Sequence, residues 1–311
     1  LNKPILEKFH DAIKTRRNSL LNWLKSNSER KAVCLGGCCQ KDVEGIIQKH
    51  NDALNHIKKG TFGNCNDCSG GVEYSRLELD FTTCVCLDHY SEHEKRSLER
   101  DLELAAKVQE QLLPQCLPIV DGFQMAAHTE PALVVSGDYF DFFTLPGGNQ
   151  GLVIADVMGK GLAASMLMSN LQATIRILGP EQSDLCFLVT RLNKLFLFNL
   201  KLIRFISFYV MEIDKSGEWI KYCNAGHNPP ALWKGKAKKI QWLNPTGPAL
   251  GLVTNPTYQS DQLFLDSGDM LILYTDGLVE ARNDEDEEFG KTRLVNFIEE
   301  YNHLPADAFL T

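Results

Sequence analysis

Three aspartates share an unusual setting. Asp138 lies in "VVSGDYFDFF", Asp156 in "GLVIADVMGKG" and Asp276 in "DMLILYTDGLVEARN". Each follows an extended apolar segment and has glycine beside it or just after it. A carboxylate delivered to the end of a core strand is costly unless something cationic meets it. Singly, each reads as the start of a turn. Together, three strand-end carboxylates repel unless divalent cations sit between them, and hard oxygen ligands suit Mg²⁺ or Mn²⁺. Two such ions ~3.5–4 Å apart can share a water, lower its pKa and hold a phosphoryl group for in-line attack. That chemistry needs no covalent nucleophile, and the chain has no Gly-x-Ser-x-Gly elbow. "GKG" lacks the Gly-x-x-x-x-Gly-Lys-Ser/Thr spacing, which excludes a P-loop. Asp141 faces away from Asp138 at the strand period of two and reads as a turn or surface residue.

A second set of donors is sulfur-rich. Cys65-Asn-Asp-Cys68 and Cys86-Leu-Asp-His89 are two pairs with seventeen residues between them. Such pairs supply the tetrahedral ligands of a structural Zn²⁺ from two tight turns, and Gly63, Gly70 and Gly71 permit those turns. Cys84 is a rival to Cys86. Residues 60–90 hold few apolar side chains, so a metal staple gives the segment its reason to fold. Cys34, Cys38 and Cys39 read as small apolar residues at a helix end, with redox or metal chemistry as the alternative. In "AGHNPPAL", His227 and Asn228 invite a substrate-contacting role, but loop shaping by Asn and Pro is the preferred reading. His128 reads as a core histidine.

The elements that position these residues follow from periodicity. Ile5, Phe9, Ile13, Leu20 and Leu24, then Val43, Ile46, Ile47, Leu54 and Ile57, predict an antiparallel helical hairpin over 1–59. Over 91–113, Leu98, Leu102, Ala105, Gln109 and Leu112 recur at 4-3-4-3 spacing, a short coiled-coil seam. The seam must pack on its own domain or on a second chain, and we expect a homodimer through it. Strand-like runs at 123–128, 139–145, 151–157, 205–213, 218–223, 230–233, 262–265 and 269–275, with helices near 161–178 and 184–199, predict an α+β domain over 114–311 with antiparallel pairing. The expected order is therefore hairpin 1–59, zinc finger 60–90, linker helix 91–113 and α+β domain 114–311.

Bulk properties narrow the function. A chain of 311 residues has room for about two domains. No apolar run reaches the ~18 residues of a membrane span, and no export signal opens the chain, so a cytoplasmic location is expected. The chain begins at Leu1 without an initiator methionine, which suggests a fragment. Net charge is −8. Residues 1–113 carry 17 basic and 17 acidic side chains, and 114–311 carry 15 and 23. An acidic second half is a poor nucleic-acid binder. Seven of ten cysteines fall in the first 90 residues, which favours metal over disulfides.

Two resemblances appear at the level of whole motifs. "GTFGNCNDCSGGVEYSRLELDFTTCVCLDH", with Gly60, Gly63, Cys65, Cys68, Arg76, Leu77 and Cys86 in place, resembles the DksA/TraR-type zinc finger behind a helical hairpin. His89 stands where that family has its last cysteine. Relatives insert an acidic hairpin tip into RNA polymerase. The tip here, "AVCLGGCCQKD", has only Asp42, which argues against polymerase binding.

"LAAKVQEQLLP", "SGDYFDFF", "ADVMGKGLAASMLMS", "NAGHNPPAL", "GPALGL" and "GDMLILYTDGLVEARN" occur in that order over about residues 100–300. Together they resemble the SpoIIE/RsbU branch of the PPM metal-dependent protein serine/threonine phosphatases. The resemblance implies two stacked antiparallel sheets flanked by helices. Two Mn²⁺ or Mg²⁺ ions are held by Asp138, Asp156, Asp276 and the Val157 carbonyl. The implied substrate is a phosphorylated regulatory protein, of the STAS-type anti-sigma antagonist kind. Ser136 replaces a glycine of that pattern, and Met158 replaces a histidine of the wider family. A further acidic ligand of the family lies beyond the end of this chain at Thr311. "DEDEE" at 284–288 reads as a solvated loop. The competing reading is a catalytically weak PPM scaffold whose DksA-like module binds a transcription complex.

Overall fold

The computed structural model describes residues 3–25, 40–89, 91–132, 134–159, 161–199 and 205–310. It divides into two compact units, Leu1–Glu99 and Arg100–Thr311. Cys34, Cys38 and Cys39 lie outside the described residues.

In the first unit, α1 (Lys3–Lys25) pairs with α2 (Gln40–Lys59), and a short α3 (Tyr74–Leu79) follows. The expectation that residues 60–90 lack a core fails. Phe62, Val72 and Leu77 share one buried cluster with Phe9, Ile13 and Leu54 of the hairpin. The segment borrows its core from the two helices, which composition of the segment alone does not reveal. Residues 64 and 71 form a bridge that closes the turn around Cys65 and Cys68.

The helix α4 (Glu92–Leu112) runs across the division between units. In the second unit, β1 (Asp138–Thr144), β2 (Gln150–Val157), β3 (Ile206–Ile213), β4 (Trp219–Ala225) and β7 (Asp261–Phe264) make an antiparallel sheet in the order β1-β2-β3-β4-β7. A second sheet has the order β6-β5-β8, with β5 (Ala231–Lys234), β6 (Lys239–Trp242) and β8 (Met270–Ile272). Alternation sets the layers. Ile206, Phe208 and Val210 face a cluster shared with α5 (Leu162–Leu178) and α6 (Leu185–Asn199). Tyr209, Met211 and Ile213 face the core between the sheets. The outer face of the second sheet is covered by Leu294 and Ile298 of α8 (Gly290–Tyr301), packed with Trp233 and Tyr274. This is the expected sandwich of two antiparallel sheets flanked by helices.

Residues 123–128 do not form the expected strand. Phe123 and Met125 still pack on the inter-sheet core, so the apolar signal was one of burial without a ladder. Three helices escaped the sequence reading of this unit: α7 (Asp276–Glu280), α8 and α9 (Ala306–Leu310).

The seam expectation also changes. Leu102, Ala105 and Leu112 are half-buried and Gln109 is buried, all within the second unit. The outward residues include Leu104 and Val108, 61% and 50% exposed, and also Leu98, the first residue of the expected seam, which is 45% exposed in the first unit. From Leu102 onward the spacing marks the more buried face, and on it Gln109 bonds Ser136 and Met168 of the chain's own second unit.

Candidate metal centre

The register of the first sheet places Asp138 directly opposite Asp156. Like charges across a strand pair are destabilising. Each is only partly buried, at the end of its strand. Asp156 has Ser207 as its neighbour on the other side. Asp276 arrives from the second sheet, as the first residue of α7 just beyond β8. Thr275, at the cap of α7, gives its side chain elsewhere: its Oγ1 donates to Asp138 Oδ2 at 3.1 Å. One hydroxyl thus ties the two sheets together at the carboxylates.

Electrostatics follow from this placement. Burial, then the charges of Asp276 and Asp138, push Asp156 up to about 7. Asp138 is also raised, by burial first and by Asp276, with the Thr275 hydrogen bond opposing. Glu280 adds to the repulsion at Asp156. It stands four residues after Asp276 in α7, so both acids project from one helical face. This carboxylate was missed in the sequence, although its i, i+4 spacing from Asp276 was readable. No ion pair among the described residues joins a Lys or Arg to Asp138, Asp156 or Asp276. Four carboxylates with no organic counter-charge among the described residues fit hard divalent cations.

The Val157 carbonyl has its own safeguard. A Cβ at Gly137 would lie 2.9 Å from Val157 O, so only glycine leaves that oxygen room. The segment before Asp138 is held by a residue the site reading did not include. Gln109 of α4 donates Nε2–H to the Ser136 carbonyl at 2.7 Å and accepts the Ser136 N–H at 2.9 Å. Ser136 Oγ in turn accepts the Asp138 N–H at 3.0 Å.

His227 is not placed to touch a substrate. It is 1% exposed; its N–H donates to Asn224 Oδ1 at 2.8 Å, and its Nδ1 lies 2.9 Å from Ser207 Oγ. Burial pushes its pKa down to about 4, against a weaker pull from the Tyr274 backbone, so it is neutral. Nε2 itself makes no hydrogen bond of full geometry. Asn228 next to it is half-buried. His128, expected in the core, is 68% exposed instead. Met158 lies at the lip of the site, 37% exposed. Asp141 is not a surface residue. It is buried and bound twice by Arg176, at 2.5 and 2.7 Å, and once by Tyr139 Oη at 2.8 Å. The acids of 284–288 form an exposed loop in which Glu287 and Glu288 meet Arg293 and Arg282.

The sulfur donors lie in the first unit. The ligand atoms of Cys65, Cys68, Cys86 and His89 all fall within 4.8 Å of one another. No other group of three such donors gathers so tightly among the described residues. Cys84 stands outside the group. Burial works to raise the Cys65 thiol, but backbone N–H donors from Cys86, Cys68 and Asp67 outweigh it and hold the thiol at about 6. Cys86 is pushed up to about 11, by burial first.

A sequence profile described as Stage II sporulation protein E (SpoIIE) matches residues 146–311. The chain belongs to the SpoIIE family. Asp156 and Asp276 fall inside the matched segment, and Asp138 lies shortly before it. Protein IcfG of Synechocystis sp. is 33% identical over 222 residues, 63% of this chain and 35% of that protein. Phosphoserine phosphatase RsbU of Bacillus subtilis is 28% identical over 214 residues, 66% of this chain and 64% of that protein. This SpoIIE-family chain therefore spans between about a third and two thirds of these curated relatives. The SiaA-PP2C domain of Pseudomonas aeruginosa shares the fold, with a TM-score of 0.58 at 18% identity over 70% of this chain and 89% of that domain.

Proposed function

We propose that the chain is a metal-dependent phosphoprotein phosphatase, hydrolysing phosphoserine or phosphothreonine on a regulatory partner protein. The carrying observation is the facing pair Asp138 and Asp156, with Asp276 and Glu280 in their field and no ion pair to a basic side chain among the described residues. Asp138, Asp156, Asp276 and the Val157 carbonyl would hold two Mn²⁺ or Mg²⁺ ions. Those ions supply a water of lowered pKa and offset the charge on the phosphoryl oxygens. Glu280 is a further acidic donor on the same side. Thr275 orients Asp138, and Gly137 keeps the Val157 oxygen open. With Met158 where the wider family has histidine, the leaving oxygen takes its proton from solvent.

The similarity to phosphoserine phosphatase RsbU supports a phosphoserine substrate. In this reading the substrate is a STAS-type anti-sigma antagonist in a partner-switching system. Cys65, Cys68, Cys86 and His89 hold a structural Zn²⁺, the hairpin and finger form the input, and α4 carries the signal. A homodimer through α4 uses the exposed Leu98, Leu104 and Val108, since Gln109 of the seam is bonded within the chain's own domain. No described helix is long and apolar enough to cross a membrane.

The test is phosphate release from a phosphorylated STAS-type antagonist and from p-nitrophenyl phosphate, with Mn²⁺ titrated in. Release that needs the metal and disappears in Asp276→Ala is expected. Metal-independent release, or none from either substrate at saturating Mn²⁺, rejects the reading.

A further inference from the structure

A groove runs between the first two helices. On α1, His10, Lys14 and Arg17 recur at i, i+4 and i+7; on α2, Asn51, Leu54, Asn55 and Lys58 recur at i, i+3, i+4 and i+7. Both spacings keep their residues on one helical face. The two stripes line a cavity of about 450 Å³, within the ~300–1,000 Å³ usual for small-molecule sites. Its lining holds three permanent cations, a histidine and two carboxamides, with Leu54 as the one apolar member and no acid.

Among the described residues the cations are not spent on carboxylates. There, Arg17 donates to amide oxygens, Asn18 Oδ1 at 3.0 Å and Asn51 Oδ1 at 3.4 Å. Among the described residues, Lys14, Arg17 and Lys58 form no ion pair with a carboxylate. Among the described residues, the acid bonded to a lining residue is Asp11, 3.1 Å from His10 Nδ1. The second unit differs: Arg176, Lys236, Arg282 and Arg293 each meet an acid. Cations converging on one concavity repel each other and favour an anion between them.

We propose that this groove binds a small molecule carrying two or more phosphate groups. The basic side chains span seven residues of helix, about 10 Å, which is longer than one phosphate. A guanidinium fork at one end suits bidentate phosphate contact. Asn51 and Asn55 add neutral donors for a sugar or a further oxygen. Leu54 alone is too little apolar surface for a lipid chain. The 17 to 17 charge balance of residues 1–113 leaves no extended basic track for a nucleic-acid backbone. The site is independent of the carboxylate centre and does not rest on its activity.

Calorimetric titration of the full chain tests it. The Asp156→Asn variant without added Mn²⁺ or Mg²⁺ serves as host, so that phosphate at the other centre contributes no heat and the cysteine cluster is left intact. The probes are orthophosphate, pyrophosphate, ADP and ATP. The diphosphates should bind at least about tenfold tighter than orthophosphate, and Kd should weaken with added salt. Lys14→Glu and Arg17→Glu should each weaken binding by at least about tenfold. Lys14→Gln, a milder change at an exposed helical position, gives the same direction should a charge reversal disturb helicity measured by circular dichroism. Equal affinities in host and variants, or no heat from any probe at millimolar concentration, overturn the proposal. Tighter, variant-sensitive binding of a single-stranded oligonucleotide or of polyglutamate also overturns it, in favour of a macromolecular partner.

Discussion

The cysteine cluster and the carboxylate centre both gather donors suited to a metal ion, but over different chain distances. Cys65, Cys68, Cys86 and His89 lie within 25 consecutive residues, and their ligand atoms come within 4.8 Å of one another. Asp138 and Asp156 come from two strand ends of the first sheet and Asp276 from the helix that follows β8 of the second, and they do not gather as tightly. The cluster is built by local turns, with backbone N–H groups of Asp67 and Cys86 donating to the Cys65 sulfur. The centre exists only once both sheets are stacked. A local cluster of this kind suits a metal that helps its segment fold. A centre assembled by a finished sandwich suits a metal that works, because the scaffold stands without it.

That contrast is breakable. The largest expected effect is on turnover: Asp156→Ala should lower Mn²⁺-dependent hydrolysis of p-nitrophenyl phosphate by more than about 10³-fold, beyond the ~10–100-fold usual for outer-shell changes. Its melting temperature should hold or rise, because one repelling carboxylate is gone. A variant that unfolds instead would place the centre among the structural metals.

The cysteine cluster should behave in the opposite sense. Cys86→Ser should lose about one zinc per chain by elemental analysis and cost the first unit several kcal/mol, since structural zinc binding is folding free energy. Cys84→Ser should keep its zinc. Unchanged zinc in Cys86→Ser would remove the cluster from the comparison altogether.

Chelated protein sharpens the difference through pH. The folded pKa of Asp156, at about 7, lies above its unfolded value of ~3.9. The folded state therefore binds the extra proton between those values. Metal-free stability should be highest below about pH 4 as far as this group is concerned, and should fall as pH rises to about 7. Asp156→Asn should flatten that slope in denaturant titrations. A slope unchanged by the substitution would mean that other groups set it.

Smaller effects are expected where the helix α4 touches the centre. Gln109→Ala removes the partner of the half-buried Ser136 N–H and C=O, at roughly 0.5–1.5 kcal/mol for each hydrogen bond lost. It should raise the Mn²⁺ concentration for half-maximal turnover about tenfold while leaving zinc content alone. Gln109→Glu, which keeps the acceptor for the Ser136 N–H and loses the donor, should not restore it. An unaltered Mn²⁺ requirement would reduce Gln109 to packing. Smallest of all, His227→Ala should cost about 1–3 kcal/mol in stability with KM unchanged, because the ring lies in the protein interior. A raised KM would return His227 to the substrate.

The sequence by itself determined which residues could ligate and which face each turns. Period-two runs put Asp138 and Asp156 at the ends of β1 and β2, and paired Cys spacing marked the local cluster. Those signals are short-range and depend only on backbone geometry. Even the inward face of α4 was legible from its 4-3-4-3 spacing. What meets a face was decided by tertiary structure alone. Asp141 was correctly turned away from Asp138, yet only the packing of α5 supplies Arg176 and makes it a buried ion pair. Of the expected seam of α4, Leu98 is exposed, while Gln109 turns to the chain's own domain and grips Ser136. Glu280 joins the site only because Asp276, expected at a strand end, opens a helix just beyond β8. Residues 60–90 have a core only because the hairpin lends one. A linear pattern records the direction of a side chain; the identity of its neighbour depends on residues tens of positions away, which no local spacing encodes.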